Sequence, residues 1–216
     1  MRNVTRTSVP SSLASNATTW TSELLTEIAR VGSYAKVSDS YKNKYRQDDI
    51  KESLANMYSN HCCYCESIIG KEYATYGRIE HLKPKSIFHN ECYNWNNLHW
   101  SCEVCNTSYK GDNWDNNNPI LDPCIDVITD YLYLDTTTGE YLECHSNPRA
   151  TTTITHTGLN RDGLVKARHR KLIELARNYS IYKKIGEEKS FISLYTNLKE
   201  DLDYPSVYET FLNEIT

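Results

Sequence analysis

No stretch of this sequence is apolar for long enough to span a bilayer, which takes about 20 residues in a helix. Residues 1–20 are rich in Ser and Thr and lack the apolar run of a secretory leader. The expectation is a cytoplasmic protein with no membrane partner. Aliphatic side chains are also scarce. Hydrophobic residues make up 39% of the 216 positions, and the segment from Cys62 to Asp115 is built from Asn, Tyr, Trp and Cys instead. Burial alone would stabilise such a segment weakly, so it needs another staple. Internal repeats and low-complexity linkers are absent. Positive charge is not in surplus either: the formal net charge is −4. Bulk charge therefore cannot hold a phosphate backbone, and any such grip would rest on a local surface or on a partner.

Cysteine is plentiful, with eight in the chain. In a reducing compartment paired cysteines favour metal over disulfide. Charge is unevenly spread. Residues 161–184 carry Arg161, Lys166, Arg168, Arg170, Lys171, Arg177, Lys183 and Lys184 against Asp162 and Glu174, whereas 187–216 is acidic. The basic stretch either tracks nucleic-acid phosphates, meets an acidic partner or is a solvated helix face.

Hydrophobic spacing predicts a short helix over Ser22–Arg30, capped by Thr21 or Ser22, after an irregular and mobile 1–19. A second helix is predicted over Gln47–Ser59, with Ile50 and Leu54 inward and Asp48 or Asp49 favourable to its dipole. Gly77–Leu82 reads as a strand stopped by Pro84, 86–96 as a polar loop, Leu98–Ser101 as a strand and Glu103–Lys110 as a short helix. Farther on, Tyr131–Leu134 and Glu140–Cys144 form a hairpin, Thr151–Thr155 is β-prone, Asn160 caps a long helix to Lys184, and a last helix covers Val207–Glu214. Three segments result: a helical 1–60, a core at 61–118, and a hairpin and helical 119–216 that offers a face to a partner or nucleic acid. The fold class is α+β.

Cys62-x-x-Cys65 and Cys102-x-x-Cys105 are two pairs separated by 36 residues. Each pair can place two thiolates on one tetrahedral ion, and four ligands leave no open position, so the zinc would be structural. His61 is a less favoured substitute ligand. Cys63, next to Cys62, gives a less usual spacing to Cys65. Cys92, Cys124 and Cys144 have no paired spacing and read as free thiols.

Chemistry is concentrated between the cysteine pairs. In Ile79-Glu80-His81-Leu82-Lys83-Pro84-Lys85-Ser86 a carboxylate suited to Mg²⁺ precedes an imidazole that can take a proton from water. A Glu-His dipeptide alone is weak. However, Asn97-Leu98 and Asn106 follow at a spacing that returns the chain to the same spot, and Asn106 comes one residue after the last cysteine. Lys110 lies one helical turn beyond and could meet a phosphate. Trp95 and Trp100 either stack on bases or pack a small core.

These motifs resemble the HNH, or ββα-metal (His-Me finger), endonuclease family: (Asp/Glu)-His, then Asn-Leu, then Cys-x-x-Cys-(His/Asn)-x-x-x-Lys. The resemblance implies a ββα-metal core with a four-cysteine zinc knot, flanked by N- and C-terminal helices. By position it makes His81 the general base, Glu80 and Asn106 ligands of a catalytic Mg²⁺ (or another divalent ion such as Mn²⁺), and Asn97 the residue that holds the loop and orients His81. Asn106 stands where many members have His. Ile120-Leu-Asp-Pro123, Tyr131-Leu-Tyr-Leu134 and Thr153-Ile154 with Leu159-Asn160-Arg161 are similar to HNH subunits of Septu-type and retron-linked anti-phage systems, over roughly residues 45–180. That likeness implies an ABC-type ATPase partner and a nuclease acting on phage or invading DNA. Two alternatives stay open: an RNA (tRNA)-cleaving nuclease, and a zinc-stabilised adaptor without catalysis.

Overall fold

The polar N-terminal stretch folds into a longer helix than its apolar pattern predicts. The computed structural model describes residues 1–70 and 76–216. Helix α1 spans Ser11–Val31, so the expected Ser22–Arg30 is only its C-terminal half, and neither Thr21 nor Ser22 caps it. Pro10 occupies the N-cap without a side-chain bond. The cap comes from Asp49, whose Oδ2 accepts from the Ser12 amide at 2.9 Å and the Ser11 hydroxyl at 3.1 Å. A carboxylate there also suits the positive pole of the helix. Residues 1–10 are irregular but pinned. Met1 is buried, the Val4 amide donates to Pro123 O, and Arg6 donates to Leu98 O at 2.6 Å.

After a single turn, α2 (Asp39–Lys42), helix α3 runs over Asp48–Met57, with Ile50 and Leu54 buried as its spacing predicts. Strand β1 (Gly77–His81) pairs antiparallel with β2 (Leu98–Cys102), setting Glu80 opposite His99 and His81 opposite Leu98. The loop between them is not simply polar, because Cys92, Tyr93 and Trp95 are buried in it. Trp95 donates its indole N–H to Thr7 O at 2.9 Å. It is therefore core rather than a base-stacking platform. The chain then turns through a π-helical segment, Val104–Lys110.

Strands β3 (Leu132–Leu134) and β4 (Tyr141–Glu143) form the expected hairpin. The β-prone Thr run is instead helix α4, Pro148–Thr157. Asn147 caps it by accepting from the Arg149 amide, Pro148 fits its first turn, and the Thr153 and Thr157 hydroxyls bond back to Arg149 O and Thr153 O, both at 2.7 Å. Local capping outweighs β propensity here. Asn160 does not cap α5 (Asp162–Lys184). Its amide binds the Tyr141 N–H and C=O at 2.9 and 2.7 Å and so ties the helix entry to the hairpin. Helices α6 (Glu188–Leu198), absent from the sequence pattern, and α7 (Pro205–Ile215) complete the chain.

Among the described residues, helices and two separate two-stranded antiparallel sheets make an α+β structure, and its buried side chains form two apolar clusters. One joins α1 and α3 to the β1–β2 loop through Leu13, Leu24, Ile50, Leu54, Tyr93 and Leu98. The other joins the cysteine-rich turn to the C-terminal helices through Tyr64, Ile120, Leu159, Leu172, Phe191 and Tyr208. Met57 and Trp100 pack against both. Among the described residues, no helix is long and apolar enough to cross a membrane.

Candidate active site and metal centre

The two Cys-x-x-Cys pairs converge. Cys62 and Cys65 lie in a turn closed by the Glu66 amide on Cys62 O at 3.0 Å. Cys102 ends β2, and Cys105 lies in the first turn of the segment after it, its amide donating to Cys102 Sγ at 3.4 Å. All four are buried, with their sulfurs within 4.8 Å of one another. Cys65 and Cys102 Sγ are 3.8 Å apart. A tetrahedral zinc with Zn–S bonds of about 2.3 Å sets its sulfurs about 3.8 Å apart. The donor set therefore fits a metal such as zinc, with no ligand position left over. Arg161 supplies positive charge beside it, donating to Cys105 Sγ at 3.2 Å.

His61 turns away, its ring nitrogens on Tyr58 O and Leu202 O. Burial pushes the Cys63 thiol well up, and this residue is not one of the four. A second trio, His99, Asp122 and Cys124, is also close. Both His99 nitrogens are already engaged, by Tyr58 Oη at 2.5 Å and Arg6 Nη2 at 3.2 Å.

The hairpin that ends in the knot presents Glu80 and His81 to a cleft of about 610 Å³, which Asn106 and Lys110 also line. Glu80 is only 2% exposed, and Lys110, 1% exposed, sets its ammonium 2.7 Å from Glu80 Oε1. Burial pushes the Glu80 carboxyl up to about 6 even with that partner. Lys110 also donates to His81 O at 2.8 Å. Lys110 thus faces inward as the counter-ion of Glu80, whereas its helical spacing had suggested a phosphate contact.

His81 is held by its far nitrogen. Nε2 lies 3.0 Å from Cys92 O. A carbonyl only accepts, so Nε2 carries the proton and Nδ1 keeps the lone pair. Burial, reinforced by the Lys85 ammonium, lowers the ring to about 3, so it is neutral at pH 7. Tyr45 packs edge-on to the ring, centroids 4.6 Å apart. Asn97 is buried and clamps the intervening loop. Its Oδ1 accepts from the Lys83 amide at 2.7 Å, and its Nδ2 donates to Lys83 O and Glu91 O at 3.0 and 3.1 Å. Glu91 O is one residue before the carbonyl that anchors His81. Asn106 is half-buried, and its Nδ2 donates to Ile79 O at 3.4 Å.

Beside the four buried cysteines and the clamped loop, Glu80 and His81 stand next to each other at the end of β1. No protein-family model matches the chain. The chain is similar to Septu protein PtuB. It is 31% identical over 143 residues to the PtuB of Bacillus thuringiensis, covering 61% of this chain and 53% of that relative. It is 32% identical over 97 residues to the PtuB of Bacillus mycoides (strain KBAB4), covering 39% of this chain and 32% of the relative. The chain spans about half, or less, of the length of these PtuB relatives. The resemblance to Septu-type PtuB read from the motifs is thereby supported.

Beyond the motif residues shared with that reading, the cleft holds side chains that the sequence did not single out. Tyr45 and Arg46 come from the turn before α3, and Lys85 from just beyond β1. Lys85 had a signal in the Pro84-Lys85 step after the Glu-His pair; Tyr45 and Arg46 had none. The basic face of α5 is partly spent inside the protein. Arg168 is 1% exposed and donates to Gly139 O and Leu159 O at 2.7 and 2.8 Å.

Proposed function

We propose that this chain is the nuclease component of an anti-phage defence system and hydrolyses phosphodiester bonds in DNA with a divalent ion, in an HNH-type site. The observation that carries the reading is geometric: His81, anchored through Nε2 on Cys92 O, lines one cleft together with the Glu80 carboxylate and the Asn106 amide. The PtuB resemblance supports the defence role, and an ABC-type ATPase is the partner it implies.

Glu80 and Asn106 offer the hard oxygen donors that Mg²⁺ or Mn²⁺ prefers. Among the described residues the Lys110 and Tyr64 bonds both fall on Glu80 Oε1, and Asn106 turns its Nδ2 to Ile79. Glu80 Oε2 and Asn106 Oδ1 are the atoms left to hold an ion. A divalent ion bound there supplies positive charge for the scissile phosphate and the leaving oxygen. His81 Nδ1 takes the proton of the attacking water. Asn97 keeps the loop carbonyls in place and so fixes the imidazole tautomer. Lys110 holds Glu80 ionised in a buried setting.

A plasmid-nicking assay with and without Mg²⁺, using wild type and His81→Ala, tests this. The expected loss for His81→Ala is about 10²–10⁴-fold. An equal rate in the two proteins would overturn the assignment, and no Mg²⁺-dependent cleavage by wild type, alone or with a co-purified ATPase, would favour the adaptor. DNA and tRNA run side by side decide the substrate.

A further inference from the structure

A cleft that holds a phosphodiester needs positive charge that no internal carboxylate has already neutralised. Five cations line the cleft described above: Arg46, Lys51, Arg78, Lys85 and Lys110. Three are committed. Lys110 is paired with Glu80 at 2.7 Å, Arg78 with Glu103 at 2.8 Å and Lys51 with Asp48 at 3.0 Å. Lys85 and Arg46 meet no carboxylate among the described residues.

Both stand around one ring. The Lys85 ammonium donates to Tyr45 Oη at 2.6 Å and to Asn43 Oδ1 at 3.3 Å, and lies 4.4 Å from the Tyr45 ring centre. The Arg46 guanidinium lies 5.8 Å from the same ring. Tyr45, in turn, is the edge-on neighbour of His81. Two neutral acceptors hold the Lys85 side chain in one orientation without cancelling its charge. An ammonium has three N–H groups, so one remains for an anion. A pre-positioned cation of this kind is worth more than a mobile surface lysine, because its ordering entropy is already spent in the fold.

Resting on the nuclease reading, we propose that Lys85, assisted by Arg46, is the phosphate-binding clamp of the cleft, the part that Lys110 cannot play. The proposal locates the nucleic-acid grip on the α2–α3 turn and the end of β1, not on the basic face of α5. It also accounts for a nucleic-acid enzyme with net charge −4, since two local uncompensated cations at the reacting phosphate do not require a basic protein.

The test uses the full chain and a fluorescein-labelled DNA duplex in Ca²⁺, with affinity followed against salt concentration, and plasmid cleavage in Mg²⁺ measured separately. Gln keeps a donor to Tyr45 and removes the charge. Lys85→Gln is expected to weaken binding about tenfold, to flatten the slope of log K against log salt by about 0.9, one phosphate contact, and to slow cleavage about 10²-fold. Lys85→Arg should restore the slope. Unchanged zinc content and melting temperature in Lys85→Gln assign the loss to charge rather than to folding. Arg170→Gln/Arg177→Gln on α5 should leave the slope as it is. A wild-type slope and affinity in Lys85→Gln, with cleavage intact in wild type, would overturn the clamp and leave the nuclease reading standing. Wild type that neither binds nor cuts the duplex would overturn both.

Discussion

The Lys110 ammonium lies 2.7 Å from the Glu80 carboxylate, and both side chains are almost wholly removed from solvent. Taking one partner of such a pair away leaves the other charge buried and uncompensated, at a cost of about 3–5 kcal/mol. Lys110→Met should therefore lower stability by that amount at pH 7 in urea denaturation. Glu80→Gln added to it should recover much of the loss, so the double mutant sits well above the sum of the singles. Additive effects would mean that the two groups do not hold each other.

Asn97 makes three hydrogen bonds to the loop that carries the His81 anchor. Asn97→Ala leaves the Lys83 amide and carbonyl, both only partly exposed, without these partners, while Glu91 O keeps the Asn94 amide, and about 2 kcal/mol of stability should go with them. Cleavage should fall at least tenfold even at temperatures where the variant is folded, because the Cys92 carbonyl no longer holds the imidazole. Full activity in a folded Asn97→Ala protein would show that the loop keeps its shape without the clamp.

Cys102→Ser removes one of four converging sulfurs. Zinc measured by atomic absorption should drop from one ion per chain towards none, and the thermal transition should broaden or vanish, since metal affinity in such a site is folding free energy. Cys144→Ser, whose thiol lies outside the group, should keep both the zinc and the transition. Full zinc in Cys102→Ser would reassign the ligands.

Asp49, in the first turn of α3, gives a pH signature of its own. Burial pushes its carboxyl up, but the hydrogen bonds from Ser12 and Ser11 more than offset this, so it titrates below its ordinary value. A lowered acid contributes stability that is present above the unfolded value, near 3.8, and lost as pH falls through the folded one. Asp49→Ala should cost about 1 kcal/mol at pH 7, as other lost helix caps do. The difference from wild type should shrink below about pH 4. A difference that persists unchanged at pH 2 would assign the effect to packing.

Much of the site was legible because its signals are local. Two cysteines three apart, a Glu-His step at a strand end and an Asn after the last cysteine are marked by spacing, and the structure brings the cysteines to one cluster and Glu80, His81 and Asn106 to one cleft. The α3 and hairpin patterns are equally local. What the sequence concealed depends on distant partners. Nothing near Ser11 announces a helix start, since its cap is an aspartate on another helix. Thr151–Thr155 has strand-like residues but sits behind Asn147-Pro148, and the hydroxyls of Thr153 and Thr157 are absorbed by the helix backbone. Lys110 and Arg168 look like surface charge in a sequence, and only tertiary contact reveals that each is interior. Lys85 is the converse, an ordinary lysine whose value comes from neighbours contributed by the turn before α3.

Arg161 stands at the N-cap of α5 and spends one guanidinium nitrogen on both Cys105 Sγ and Gly158 O. The thiolate cluster and the longest helix therefore share a fastening. Drawing out an ion held by these four cysteines would not merely loosen a local turn. It would strip an arginine of its anion and slacken the first turn of α5, so a chelator should be felt across the C-terminal third of the chain, in segments that touch no sulfur at all.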